Sequence, residues 1–167
     1  MRAGIAVVAV ASVLSLLVPV VAAAQSAATP DVTLGIGHAD FLDDGRIGHT
    51  AFGVGAEWVV MPRLTIGPEV LYMVGPGDDR DTFVLGVARI GVLPFSSRVV
   101  PFFTIGAGLM THRDRFGSQS YSSTEGAWIG GGGVRVNATS RIFIAPEVTV
   151  GWEPHVRASV SVGIRLK

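Results

Sequence analysis

The sequence predicts an all-β protein: an eight-stranded antiparallel up-and-down transmembrane β-barrel, preceded by a cleavable signal peptide. Three observations carry that prediction. Period-two alternation of apolar and polar residues recurs from Val32 onward, and no stretch of useful length there shows helical periodicity. The apolar parity of the strands is too bulky and too continuous to fit inside so small a barrel. The connections alternate between short turns and longer, polar loops rich in glycine or aspartate.

At the N-terminus, Met1 and Arg2 supply a short positive end, "AGIAVVAVASVLSLLVPVV" is apolar, and Ala22, Ala23 and Ala24 place small residues ahead of Gln25. This is the layout of a secretory signal peptide. The apolar run approaches the length of a spanning helix, so an uncleaved anchor is the competing reading, and the small residues and Pro19 favour cleavage. The expected division is a signal peptide at 1–24, a short lead at 25–31 and a barrel domain at 32–167. The chain has no cysteine, which excludes structural disulfides and lipid attachment through a cysteine. Mean hydropathy is +0.49, high for a soluble domain. Lys and Arg number 13 against 13 Asp and Glu, a balance that gives no reason to expect nucleic acid as a partner.

Strands are expected at 32–38, 50–60, 64–74, 82–93, 101–112, 125–136, 141–152 and 155–166. Most approach the length of about 9 to 11 residues with which a tilted strand crosses a bilayer. The second strand separates Phe52, Val54, Ala56 and Trp58 from Ala51, Gly53, Gly55 and Glu57. In the third, Glu69 and Tyr72 fall on opposite parities; in the fourth, placing Arg89 inside also places Phe83, Leu85 and Val87 inside, so its faces are ambiguous. The seventh sets Ile142, Ile144, Pro146, Val148, Val150 and Trp152 against Phe143, Ala145, Glu147, Thr149 and Gly151. The eighth has one wholly apolar face, from Val156 through Ala158, Val160, Val162 and Ile164 to Leu166.

An eight-stranded lumen admits only side chains. Small residues and paired charges are therefore expected inside, with Val, Ile, Leu and Trp facing lipid. A soluble lipocalin-like carrier of the periplasm, with the faces reversed, is the competing reading. Phe52, Tyr72, Trp128 and Trp152 lie on the outward parity toward the loop ends, and Trp58 and Phe103 toward the turn ends, as two interfacial girdles of aromatic residues would.

The same assignment turns Glu57, Glu69, Glu147, Arg89, Arg135, Arg157 and Arg165 inward. Strand adjacency puts Glu147 within reach of Arg135 and Arg157, and Glu69 beside Glu57 and Arg89. The expected role is a buried ion-pair network that plugs the interior. Pro68 and Pro146, each preceding one of these glutamates in a "PEV" segment, withhold a ladder hydrogen bond where no water can replace it. A β-bulge or local widening is expected at each.

His38, His49, His112 and His155 all fall at strand ends facing the longer loops. His38, His49 and His155 belong to neighbouring strands and have Asp40 or Glu153 nearby, but their parities disagree. They read as polar rim residues, and no metal ligand or cofactor is assigned. Ser159 and Ser161 share a face with His155 at a distance beyond hydrogen-bond reach, so no catalytic residue is assigned either. Asp43-Asp44 and Asp78-Asp79-Arg80-Asp81 lack the spacing of a calcium loop and read as solvated loop tips, and these loops with Phe41, Phe116 and Tyr121 are where a surface ligand would be met.

The signal peptide, the eight strands, "PFFTIGAGL", "WIGGGGVRV" and the two "PEV" strands together resemble the small eight-stranded outer-membrane β-barrels of Gram-negative bacteria, of the OmpX and OmpA transmembrane-domain kind. The resemblance implies outer-membrane location, contact with lipid and lipopolysaccharide, and insertion by the barrel assembly machinery. It implies a structural or surface-interaction role without enzyme activity, with a lipid A-modifying enzyme as the alternative. Such barrels usually end on an aromatic residue, whereas this chain ends "GIRLK", with Leu166 on the apolar parity and Lys167 after it.

Overall fold

The computed structural model describes residues 29–42, 45–116 and 119–166. The expected signal peptide, Asp43, Asp44 and Lys167 lie outside the described residues, as does the side chain of Phe116. Eight strands follow in order: β1 (Asp31–Phe41), β2 (Ile47–Met61), β3 (Leu64–Val74), β4 (Arg80–Gly91), β5 (Val99–Phe116), β6 (Gln119–Asn137), β7 (Ile142–Gly151) and β8 (His155–Arg165). Each pairs antiparallel with the next, and β1 closes on β8 from Asp31 opposite Arg165 to Phe41 opposite His155. Closure leaves no free edge, the condition for a sheet in hydrocarbon.

β1 begins at Asp31, one residue before the expected barrel boundary, and runs on to Phe41. The segment "RDRFGSQSYSS", expected as a loop, is mostly strand: β5 and β6 reach 18 and 19 residues and pair out to Phe116 opposite Gln119. Ser120 and Ser122 alternate with Gln119 and Tyr121 along a two-stranded ribbon beyond the membrane, where water can satisfy both faces, and just inside this segment the Thr111 and Thr124 hydroxyls meet across the ribbon at 3.0 Å. The long outer loops are thus partly absorbed into strands. Turns at the other end cross from β2 to β3 at Pro62 and Arg63, from β4 to β5 over 92–98, and from β6 to β7 over 138–141.

The outer face is apolar and exposed, with Leu34 at 64%, Ile105 at 58% and Phe103 at 64%. The inner face holds the charges, so the faces are those of a membrane barrel. One expectation needs correction, since the outer half of the lumen is neither small nor polar. Leu71, Met73, Phe83, Leu85, Val87, Met110 and Ile129 form a buried cluster with Ala39, Ala51 and Ala127. The ambiguity of β4 is resolved the same way, with Phe83, Leu85, Val87 and Arg89 all inside. Bulky residues of β3 to β6 face a wall of β1, β2 and β8 that is largely glycine, alanine and serine, and the volumes complement one another.

Both prolines interrupt the ladder without inserting a residue. Between β2 and β3, Gly55 pairs with Glu69 and Trp58 with Ile66, and the intervening Ala56-Glu57 and Gly67-Pro68 are unpaired with the register unchanged. Between β6 and β7, Gly133 pairs with Glu147 and Val136 with Ile144, and the same two-residue gap falls at Ala145-Pro146. Neither site is a bulge. The strands do not spread at Pro68 either, because a Cβ on Gly67 would overlap the Ala56 carbonyl. The register shift that does occur lies between Val59 and Met61, beside the Pro62-Arg63 turn.

Gly163 faces the lumen against Phe143, whose ring fills the place of a side chain. Gly163→Ala is expected to lower the stability of the folded barrel by about 1–3 kcal/mol through overpacking. Gly130→Ala, where nothing lies within 4 Å of the added carbon, is expected to stay within about 0.5 kcal/mol of the parent. Urea unfolding in lipid vesicles, followed by tryptophan fluorescence, measures both.

Candidate functional site

Glu57, Glu69, Glu147, Arg135 and Arg157 are buried, while Arg89 and Arg165 are half-buried. Arg89 is the hub: it lies 2.6 Å from Glu69, 3.4 Å from Glu57 and 3.4 Å from Glu147. Arg157 continues to Glu69 at 3.4 Å and Glu147 at 3.8 Å. Arg135 does not meet Glu147, its expected partner; it reaches across the lumen to Glu57 at 2.6 Å and Asp31 at 2.5 Å. Arg165 closes the chain on Asp31 at 3.3 Å.

Asp31, expected in the lead, is the first residue of β1. Its signal was present, since extending the first strand's alternation one step back puts it on the face opposite Val32. With Asp31 included, four carboxylates and four guanidinium groups alternate through the lower lumen with no net charge. They come from β1, β2, β3, β4, β6, β7 and β8. The Thr104 hydroxyl donates to Glu147 Oε1 and ties in β5.

Below the network, Phe95 folds up from the β4–β5 turn and is buried, and its N–H donates to the Pro62 carbonyl at 2.7 Å. Asn137 donates to the carbonyls of Phe95 (3.0 Å) and Ser97 (2.5 Å) and so holds that turn in place. The Arg135 guanidinium lies 3.4 Å from the Phe143 ring centroid and 5.5 Å from that of Phe95, an aromatic bed that favours a desolvated cation.

The six expected girdle residues all lie on the lipid side. Phe52 pairs in register with Tyr72, and Trp58 with Ile66. Phe103 pairs with Ile90, and the Trp152 N–H donates to the Trp128 carbonyl at 2.9 Å. On the outer surface the apolar belt ends near Ile36, Phe52, Tyr72, Val84, Leu109 and Trp128, beyond which His38, Thr50, Arg80, Thr111 and Arg113 take over.

The outer rim differs from the expected grouping of histidines. His38 points outward with Asp40, 3.4 Å away, and Asp40 also carries a two-point pair with Arg46 at 2.8 and 2.9 Å. His155 is buried, its Nδ1 2.8 Å from the Trp152 carbonyl and its ring packed against Phe41 and Phe83. Phe41, expected on a recognition loop, is itself a buried lid over the apolar lumen. His49 meets Asp79 at 3.0 Å and Asp81 at 3.2 Å, and His112 lies 2.7 Å from Asp81. This pairing of two histidines with the 75–81 segment differs from the grouping of β1, β2 and β8 that strand adjacency favours. The β2–β3 ladder, with Thr50 opposite Val74, instead sets the β3–β4 loop beside His49, and that loop and the start of β4 carry Asp79 and Asp81. Tyr121 stays exposed on the β5–β6 ribbon, its ring 6.3 Å from His112.

Residues 6–153 match the outer membrane protein β-barrel domain family. The chain belongs to that family. Its location is accordingly the outer membrane. Among solved structures it is similar to Neisserial surface protein A (TM-score 0.68, 10% identity, covering 82% of this chain and 96% of that one). It is also similar to the N-terminal β-barrel domain of Pseudomonas aeruginosa OprF (TM-score 0.64, 8% identity, 84% and 100%). A third likeness is to Ail, the attachment invasion locus protein of Yersinia pestis (TM-score 0.58, 12% identity, 81% and 95%). Comparison with curated protein sequences finds no match. At such identities the likeness gives the fold alone.

Arg89→Met leaves Glu69 without its nearest cation in a buried site, and is expected to cost about 3–5 kcal/mol. Adding Glu69→Gln restores the charge balance and is expected to recover part of that loss. Urea midpoints of the two variants in lipid vesicles read the difference.

Proposed function

We propose that this protein is a non-enzymatic outer-membrane barrel whose lumen is plugged by its own side chains, and that its role is structural or surface-interacting, exercised through the outer loops. It is exported through its signal peptide, inserted by the barrel assembly machinery, and seated in outer-membrane lipid and lipopolysaccharide. The observation that carries this reading is the neutral chain of eight charges from seven strands, joined to β5 through Thr104, with Phe95 beneath it and the apolar cluster above. A path for solute would have to disrupt several buried pairs at once.

The remaining freedom lies outside the membrane. The β5–β6 ribbon, with Arg113, Arg115 and exposed Tyr121, projects furthest beyond the apolar belt and offers charge and an aromatic surface to a ligand. The alternatives draw less support. The Ser161 hydroxyl donates to the Ala145 carbonyl at 3.3 Å, and His155 is buried against the Phe41 and Phe83 rings, so the two do not form the hydrogen-bonded pair that nucleophilic chemistry on lipid A needs. A soluble carrier would leave the apolar outer face in water.

Trypsin added to intact expressing cells is expected to clip the chain at Arg113 or Arg115 while the barrel stays in the outer-membrane fraction. Mass spectrometry of lipid A is expected to show the same acylation with and without expression. A specific gain or loss of one acyl chain would replace this reading with the enzymatic one, and recovery of the protein in the soluble periplasmic fraction would exclude a membrane role.

A further inference from the structure

We propose that the outer mouth of the barrel binds a divalent transition-metal ion of the zinc class, with His49, Asp79 and Asp81 as ligands and His112 orienting Asp81. The three ligand atoms come from β2, from the loop between β3 and β4, and from β4 itself, and all lie within 4.8 Å of one another. His49 Nε2 is 3.0 Å from Asp79 Oδ2 and 3.2 Å from Asp81 Oδ2. A tetrahedral site with bonds of about 2.0–2.1 Å has ligand–ligand edges of about 3.3–3.4 Å. The two edges from His49 already stand close to that spacing.

The second observation is what His49 lacks. It is 2% exposed, its Nδ1 faces the Ile47 carbonyl at 3.3 Å, and its Nε2 makes no hydrogen bond. A backbone carbonyl on Nδ1 selects the tautomer whose Nε2 presents a lone pair, the arrangement that typically supports a metal-bound imidazole. Here that lone pair is aimed at two carboxylates, and Asp79 Oδ1 is buried without a hydrogen bond as well. With the proton on Nδ1, the Nε2 lone pair and the two carboxylates are three electron-rich groups that repel one another, and a cation at their centre turns the repulsion into ligation.

The surroundings fit the same assignment. Among the described residues no arginine is ion-paired with Asp79 or Asp81; Arg80 instead donates to the carbonyls of Gly75 and Asp79. Gly75 has its N–H bonded to the Asp79 carbonyl at 3.0 Å, and a Cβ there would overlap both His49 Nε2 and Asp79 Oδ2, so glycine keeps the space against the donors clear. His112 Nδ1 is 2.7 Å from the remaining oxygen of Asp81, and its side chain is 26% exposed, which leaves a way in from solvent. Phe41 packs beneath His49 at 4.7 Å between ring centroids, a dry floor. One imidazole nitrogen and two carboxylate oxygens, with room for water, suit zinc and its neighbours, whereas calcium takes six to eight oxygens. The bound ion would clip the β3–β4 loop to β2 and, through His112, brace β5, tightening the base of the outer ribbon.

The test uses the full barrel folded in lipid, stripped with chelator and dialysed against zinc chloride, with bound metal counted by mass spectrometry and affinity read by calorimetry. One zinc per barrel is expected, with uptake lost in His49→Ala and in Asp81→Asn. His112→Ala is expected to bind about 10–100-fold more weakly. Gly75→Ala keeps every ligand and is expected to bind less zinc, while His38→Ala is expected to match the parent. Heated and unheated gel mobility checks that each variant is folded. X-ray absorption of the parent's zinc needs no variant, and a nitrogen and oxygen shell near the tetrahedral bond length is expected. Absence of stoichiometric zinc in the folded parent, zinc retained by both ligand variants, or calcium bound as tightly as zinc would overturn the proposal.

Discussion

The lower lumen is organised around the Arg135–Glu57 pair, because it joins opposite walls of the cylinder and both ladder gaps open beside it. Glu57 stands in the unpaired stretch of β2 opposite Pro68, and Arg135 in the unpaired stretch of β6 opposite Pro146. Their side chains meet at 2.6 Å in the interior. Where the wall loses backbone hydrogen bonds, the interior supplies charge-assisted ones, each stronger than a neutral bond. The duplicated "PEV" segments thus serve one cross-lumen strut rather than two separate sites.

From that strut the alternation of charge runs both ways, through Asp31 to Arg165 and through Arg89 to Glu69, Glu147 and Arg157. Burying eight charges is costly one at a time, and the cost is offset only when every group finds partners of opposite sign. That condition fixes the composition of the interior at this level. It also separates the lumen into layers: the aromatic floor of Phe95 and Phe143, the charge chain, and the apolar fill up to Phe41. The apolar layer above the charges lowers the dielectric around them, which strengthens their attraction.

Much of the wall was legible in the sequence and less of its contents. Strands such as "HVRASVSVGIRL" declare their faces, because a one-residue slip would put six apolar side chains in the wrong environment. Inward Glu57, Glu69, Glu147, Arg89, Arg135, Arg157 and Arg165 follow from the same parity. Partner choice does not follow, since Arg135 passes over neighbouring Glu147 to reach Glu57 across the lumen, and side-chain length over several ångströms decides that. The apolar upper lumen is harder to read for a related reason: parity sets Leu71 and Met73 on the face of Glu69, and Phe83 on that of Arg89, but only the glycines of the opposite wall show that such bulk fits inside. The rim cluster is hidden by topology, because β2–β3 register sets His49 beside the β3–β4 loop and no local pattern reveals how Asp79 and Asp81 turn back over it.

Amide hydrogen exchange of the folded protein in lipid tests most directly whether one coupled charge chain holds the barrel together. The account predicts that amides at the level of Asp31, Glu57, Glu69, Arg89, Thr104, Arg135, Glu147 and Arg157 are the slowest in the molecule and share one opening free energy across all eight strands. Staggered exchange, strand by strand, or slowest protection confined to the apolar upper lumen, would contradict it.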